Sequence, residues 1–176
     1  AEAGIGWPDV RLVLASGMIT SNVGLLEVPH CIAPVDAAAL GRAIRRAAVP
    51  EVCPLPICFI PGVRNLAGPA DWDNLAQMDI MRGEETESCA IIAHFGSGRP
   101  MLLVLPGSHT KFVAVDSAGR ITGCLTSMTG ELLSVITNNT ILADAVCHRF
   151  VEPGTYDRAL MLRGYEAAKR SGMGRA

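Results

Sequence analysis

The sequence predicts an α/β fold, and three observations carry that prediction. Val10-Arg-Leu-Val-Leu-Ala15 is a short, apolar, β-branched run that stops at Ser16-Gly17, as a buried parallel strand does. Gly83 is followed by Glu84-Glu85-Thr86-Glu87 and then by Ser88-Cys-Ala-Ile-Ile-Ala-His-Phe95. Acids in the first turn complement a helix dipole, and apolar residues follow them. Three short strands with tight turns then run from Met101 to Met128. The 18 glycines and 11 prolines among 176 residues fit a chain of many turns and exclude a helical bundle.

The elements follow in order. After the strand at 10–15, Asp36 caps an Ala-rich helix with Leu40, Ile44 and Ala47-Ala48 on one face, and Pro50 is expected to end it. Cys58-Phe-Ile60 before Pro61-Gly62 reads as a strand and turn, and residues 66–74 as a polar loop. The acid-led helix closes at Gly96-Ser97-Gly98. Met101–Leu105 and Lys111–Asp116 are strands joined by Pro106-Gly-Ser-His-Thr110. Ser117-Ala-Gly-Arg120 turns into a third strand, Ile121–Met128. Thr129-Gly130-Glu131 opens a helix carrying Leu132, Leu133, Val135 and Ile136. A last helix spans about 155–171, with Leu162, Tyr165 and Ala168 facing inward. The change near Gly96–Pro100 from βα units to a meander is the predicted domain boundary.

Composition narrows the function. Hydrophobic residues are 49% and charged residues 18%, enough for a core and too apolar for a disordered chain. The net charge of −2 offers no basic excess for nucleic acid. No apolar run has the length of a membrane span. Such low charge suggests that a partner subunit or a further lobe covers apolar surface, and Ala1-Glu2-Ala3-Gly4 resembles no targeting signal. The six scattered cysteines read as free thiols of a cytosolic protein. A zinc site from His30, Cys31, Cys53 and Cys58 has no C-x2-C pair behind it.

Three segments could carry chemistry. Gly107-Ser108-His109-Thr110-Lys111 sits between two strands, where backbone N–H groups, two hydroxyls and an ammonium could cradle an anion. Its other reading is an ordinary hairpin loop. Met81-Arg82-Gly83-Glu84-Glu85 places carboxylates at a helix start. They could cap the helix or accept a proton from a substrate hydroxyl, while Arg82 could pair with Glu85 or bind an anionic substrate. Ser16-Gly17-Met18-Ile19-Thr20-Ser21-Asn22 follows a strand, at the sheet edge where α/β proteins bind ligands, and its hydroxyls and amide suit a polyhydroxylated ligand. A Ser108–His109 hydrolase pair lacks the nucleophile elbow.

Five motifs occur in order: Ser16–Gly24, Ile60-Pro-Gly-Val63, Met81–Glu85, Leu105–Lys111 and Met128-Thr-Gly-Glu-Leu132. As a set they closely resemble the 2-dehydro-3-deoxygalactonokinase (2-keto-3-deoxygalactonate kinase) family, over most of residues 10–142. The resemblance implies a ribonuclease H-like fold of the actin and sugar-kinase superfamily, with two lobes around an ATP cleft. It implies ATP-dependent phosphorylation of the 6-hydroxyl of 2-dehydro-3-deoxy-D-galactonate, with Mg²⁺, in cytoplasmic galactonate breakdown. It places residues 1–96 in the later part of the sugar-acid lobe, with an interdomain helix at about 83–95, and 97–176 at the start of the nucleotide lobe. By that resemblance Glu84 is the base, with Glu85 left open. Residues 107–111 hold the ATP phosphates, and Ser16, Gly17, Met18, Ser21, Asn22 and Arg82 line the sugar-acid site. The family's opening Asp-Trp-Gly-Ser-Thr loop, whose Asp would position Mg²⁺, and its adenosine segment match nothing here, so the fold is expected to be incomplete at both ends. Homo-oligomerisation is left open. The rival readings are a nucleotide-binding switch of the same fold and a metal-binding or interaction domain.

Overall fold

The computed structural model describes residues 4–172 apart from 67, 70, 97 and 153. The chain divides into two compact units, Ala1–Gly130 and Glu131–Ala176. In chain order the first unit holds β1 (Val13–Ala15), β2 (Cys31–Ile32), α1 (Ala37–Ala43), β3 (Arg45–Ala47), β4 (Ile57–Phe59), β5 (Val63–Arg64), β6 (Ile80–Met81), α2 (Glu84–Phe95), β7 (Met101–Leu105), β8 (Thr110–Val115) and β9 (Ile121–Ser127). α3 (Thr129–Asn139) starts at its end, and α4 (Arg158–Ser171) lies in the second unit.

Among the described residues the strands form three small sheets, ordered β1-β4-β3, β2-β5-β6 and β7-β8-β9. β1 runs parallel to β4, pairing Leu14 with Cys58, and β2 runs parallel to β5. The β7–β8–β9 meander is antiparallel throughout. Its second turn is held by Asp116, whose carboxylate accepts from the backbone of Ala118 and Arg120 and pairs with the Arg120 side chain at 2.8 Å. Those bonds hold Asp116 below the usual carboxylate range.

One core joins α1 and the last two sheets: Val35, Leu40, Val63, Met81, Leu103, Val113 and Ile121 are buried together. It unites residues on both sides of the 96/97 position. A second, smaller core of Val28, Cys53, Ile57 and Phe59 lies under the first sheet. The last two sheets are stitched by polar groups. Val35 and Ile121 exchange backbone hydrogen bonds at 2.9 and 2.8 Å. The Asn65 amide donates to Cys124 O at 2.9 Å while its oxygen accepts from Cys124 N at 2.7 Å.

Three expectations need correction. Only Val13–Ala15 of the 10–15 run forms a strand, parallel to β4, and it is half-buried on one face and exposed on the other, with Leu14 56% exposed. The helix capped by Asp36, whose carboxylate accepts from Ala39 N at 2.7 Å, ends at Ala43 and not at Pro50. The chain turns at Ile44 and residues 45–47 pair with β4, because a strand partner outweighs intrinsic helix propensity, alanine's included. Leu162 and Tyr165 of α4 are exposed, so they are not inward positions. Among the described residues no three or more His, Cys, Asp or Glu side chains gather into a group that could hold a metal ion. Ser97 of the predicted 96–98 turn lies outside the described residues.

Candidate active site

Two of the three predicted segments meet. Gly17 and Gly83 both have left-handed φ values, +84° and +117°, which favour glycine. Their backbones pack together, so a Cβ on Gly83 would lie 3.4 Å from the Gly17 Cα. The turn after β1, a 3-10 helix over Gly17–Thr20, therefore abuts the start of α2.

Arg82 locks this arrangement. Its guanidinium donates to Thr20 O at 2.6 Å, to Thr20 Oγ1 at 2.7 Å and to Val28 O at 3.0 Å, and lies 3.2 Å from the His30 ring nitrogens. Thr20 passes its own hydroxyl proton to Gly17 O at 2.9 Å. Burial and the Arg82 and Arg64 charges push the His30 pKa down, which keeps the ring neutral beside the guanidinium. The expected roles of Arg82, pairing with Glu85 or holding a substrate carboxylate, give way here to a clamp on the 20–30 segment. Ser21 is also buried and turned inward, donating to Met18 O at 2.7 Å. Ser16, Met18 and Asn22 stay at the surface beside α2.

The two carboxylates separate by environment. Glu85 is fully buried. Its Oε2 accepts from Gly83 N at 2.7 Å and its Oε1 from Thr86 Oγ1 at 3.2 Å. Burial pushes its pKa up, against the opposing pull of the backbone hydrogen bonds. The neighbouring Cys31 and Cys89 thiols are raised by burial and by Glu85. Glu84 is half-buried and makes one hydrogen bond among the described residues, from Arg82 N to Oε2 at 3.0 Å. Its Oε1 is left open at the helix start. Glu85 thus bonds back to the Gly83 N–H at the helix start, while Glu84 keeps one oxygen without a hydrogen bond among the described residues.

The third segment is a hairpin between β7 and β8, exposed from Pro106 to His109. It rests on the start of α3. Thr110 Oγ1 and Thr129 Oγ1 are 2.7 Å apart, and a Cβ at Gly130 would fall 2.4 Å from Gly107 O. Only glycine at 130 allows that approach. Lys111 does not join the hairpin as expected. Its side chain runs into the interior, 5% exposed. There Nζ donates to Ile80 O at 2.7 Å and to Thr126 Oγ1, with Asp79 Oδ1 at 3.8 Å. An ammonium enclosed this way cannot reach a phosphate in the solvent-facing loop.

Sequence reading missed Asp79, Asn65, Thr126 and Gly130. The one signal for Gly130 was its place in the Met-Thr-Gly-Glu motif; a lone Asp before an apolar pair gives none.

The arrangement defines an α/β chain with a carboxylate at a helix start, a glycine turn packed against it and a separate glycine hairpin exposed at a strand end. A family model described as 2-keto-3-deoxy-galactonokinase matches residues 3–173, and the chain belongs to that family. It is 34% identical over 144 residues to a probable 2-dehydro-3-deoxygalactonokinase of Rhizobium meliloti, covering 82% of this chain and 43% of that protein. It is 32% identical over 143 residues to 2-dehydro-3-deoxygalactonokinase of Escherichia coli, covering 81% of this chain and 43% of that one. A solved structure from Sinorhizobium meliloti carrying the same kinase name superposes with a TM-score of 0.73 at 28% identity, over 96% of this chain and 52% of that chain. The chain thus spans about half the length of the relatives it matches.

Proposed function

We propose that this chain carries the acceptor-activating part of an ATP-dependent kinase for 2-dehydro-3-deoxy-D-galactonate, acting in galactonate breakdown in the cytoplasm. The observation that carries the reading is the open Oε1 of Glu84, held at a helix start against the Gly17–Thr20 turn. The substrate's 6-hydroxyl donates to that oxygen. As the hydroxyl oxygen attacks the γ-phosphorus, its O–H bond breaks and Glu84 takes the proton, while the bond to the ADP oxygen breaks with its electron pair. Phosphoryl transfer needs this kind of positioning more than covalent help from the protein. Surface groups of Ser16 and Asn22, with Gly17 and Met18 beside them, would meet the sugar acid.

The exposed hairpin of Gly107, Ser108 and His109, with Thr110 at its end, fits the ATP phosphates. It is a glycine-bearing loop open to solvent and braced by Thr129 and Gly130. Mg²⁺ would neutralise phosphate charge when bound, and it usually takes few protein ligands beside the phosphates themselves. Among the described residues no three or more His, Cys, Asp or Glu gather to hold it. We further propose the two-lobed actin-like architecture. Residues 1–96 belong to the sugar-acid lobe and 97–176 to the nucleotide lobe, with α2 between them.

The test is Glu84→Gln against Glu85→Gln in the full chain, assayed by sugar-acid-dependent ADP release. Glu84→Gln should lower kcat by about 10²-fold or more with little change in KM. Near-normal turnover of Glu84→Gln would remove it as the base.

A further inference from the structure

We propose that Lys111, with Asp79 and Thr126, is a positioning residue that fixes the offset between the Glu84 helix start and the phosphate hairpin; this rests on the kinase reading above. Lys111 is the first residue after the hairpin's Thr110 on β8. Its acceptor Ile80 lies on β6, four residues before Glu84. Its other acceptor, Thr126 on β9, lies three residues before Thr129, the hydroxyl that meets Thr110, and four before Gly130, against which Gly107 packs. From β8, which follows the hairpin, one ammonium group therefore touches β6, which leads to Glu84, and β9, which leads to Thr129 and Gly130.

Asp79 completes the joint. Its carboxylate accepts from Thr126 N at 2.5 Å, Thr126 Oγ1 at 2.7 Å and Ile80 N at 2.7 Å, while Lys111 Nζ lies 3.8 Å away. Both side chains are nearly shut off from water, at 6% and 15% exposure. Removing a charge pair from water costs about as much as its attraction returns, so an apolar pair of like volume would serve stability equally well. The best-attested use of such a pair is to fix register. Here the register is that of β6 against β8 and β9, the only direct polar link from Glu84's strand to the hairpin's strand among the described residues.

The test uses the full chain with Lys111→Met, which keeps an unbranched stem and removes the charge, and Thr126→Val, which removes the bridging hydroxyl at equal volume. Turnover is measured well below the melting temperature, with KM for ATP and for the sugar acid. Amide hydrogen exchange is followed at 82–86 and 107–110. Lys111→Met should lose about 10²-fold in kcat, the scale of a misplacement near 1 Å, with both KM values within a few-fold. Thr126→Val should show a smaller loss of the same kind, and exchange should rise at both segments together. A lowered melting temperature with kcat per folded molecule unchanged would show a merely structural pair and overturn the proposal; so would unchanged exchange at 82–86. If Lys111→Met does not fold, Thr126→Val decides alone. Absence of sugar-acid-dependent ADP release from the unsubstituted full-length protein would instead sink the kinase reading, which the exchange measurement does not touch.

Discussion

Gly130→Ala isolates the contact between hairpin and helix. The new Cβ would sit 2.4 Å from Gly107 O and 2.9 Å from Ser108 Cα. Those are backbone atoms, so neither can rotate aside, and the gap is about 1 Å short of ordinary contact. Overpacking of this kind costs about 1–3 kcal/mol. The better helix preference of alanine returns about 0.5–1 kcal/mol, less at a first-turn position. The net loss is about 0.5–2 kcal/mol, or a fall of several degrees at roughly 2–4 °C per kcal/mol. Gly41→Ala supplies the control. It makes the same chemical change inside α1, where a Cβ meets nothing within 4 Å, and should raise Tm by about 2–4 °C. Scanning fluorimetry of both variants of the full chain measures the difference. The reasoning is refuted if Gly130→Ala melts at or above the unsubstituted protein while Gly41→Ala behaves as stated.

Three further outcomes follow from the same geometry. Glu85 has a raised folded pKa, so its favourable contribution is complete below its ordinary value of 4.5 and is lost as pH rises through the raised one; Glu85→Gln should flatten that fall in Tm, and parallel pH–Tm curves would contradict it. Arg82→Met leaves the Val28 carbonyl without its Arg82 donor and the Thr20 carbonyl with the Val28 N–H alone and should cost about 1.5–3 kcal/mol, read as a lower denaturant midpoint. Gly107→Val has room, since the nearest atom to a Cβ there is His109 O at 3.7 Å; it should leave Tm nearly unchanged and weaken ATP binding by calorimetry, and equal loss of sugar-acid binding would count against the hairpin's assignment.

Local rules explain what the sequence made legible. The meander was readable because its turns are written in turn residues, and Asp116-Ser-Ala-Gly-Arg120 closes as its composition demands. The Asp36 cap and the acid-led start of α2 were readable for the same reason. What failed depended on distant partners. Residues 45–47 became a strand because β4 was there to pair with, and nothing within 36–50 announces it. The difference in burial between Glu84 and Glu85 comes from packing, which adjacent identical residues cannot reveal. Lys111 stood beside four plausible phosphate-loop residues, yet alternation along β8 sends its side chain to the core face.

The Asn65 side chain makes a joint of a different kind from a strand ladder. Strands joined by backbone ladders are held by groups that every amino acid possesses, so substitution barely alters the bond pattern. Between Asn65 and Cys124 the same donor-and-acceptor exchange is made by one side chain, with Gly123 leaving space beside it at 3.1 Å from a would-be Cβ. That joint is encoded by a single codon. An Asp at 65 could still accept from Cys124 N but could no longer donate to Cys124 O or to Gln77 O. The seam between the two sheets is thus open to adjustment by point mutation, whereas the strand pairs on either side of it are not.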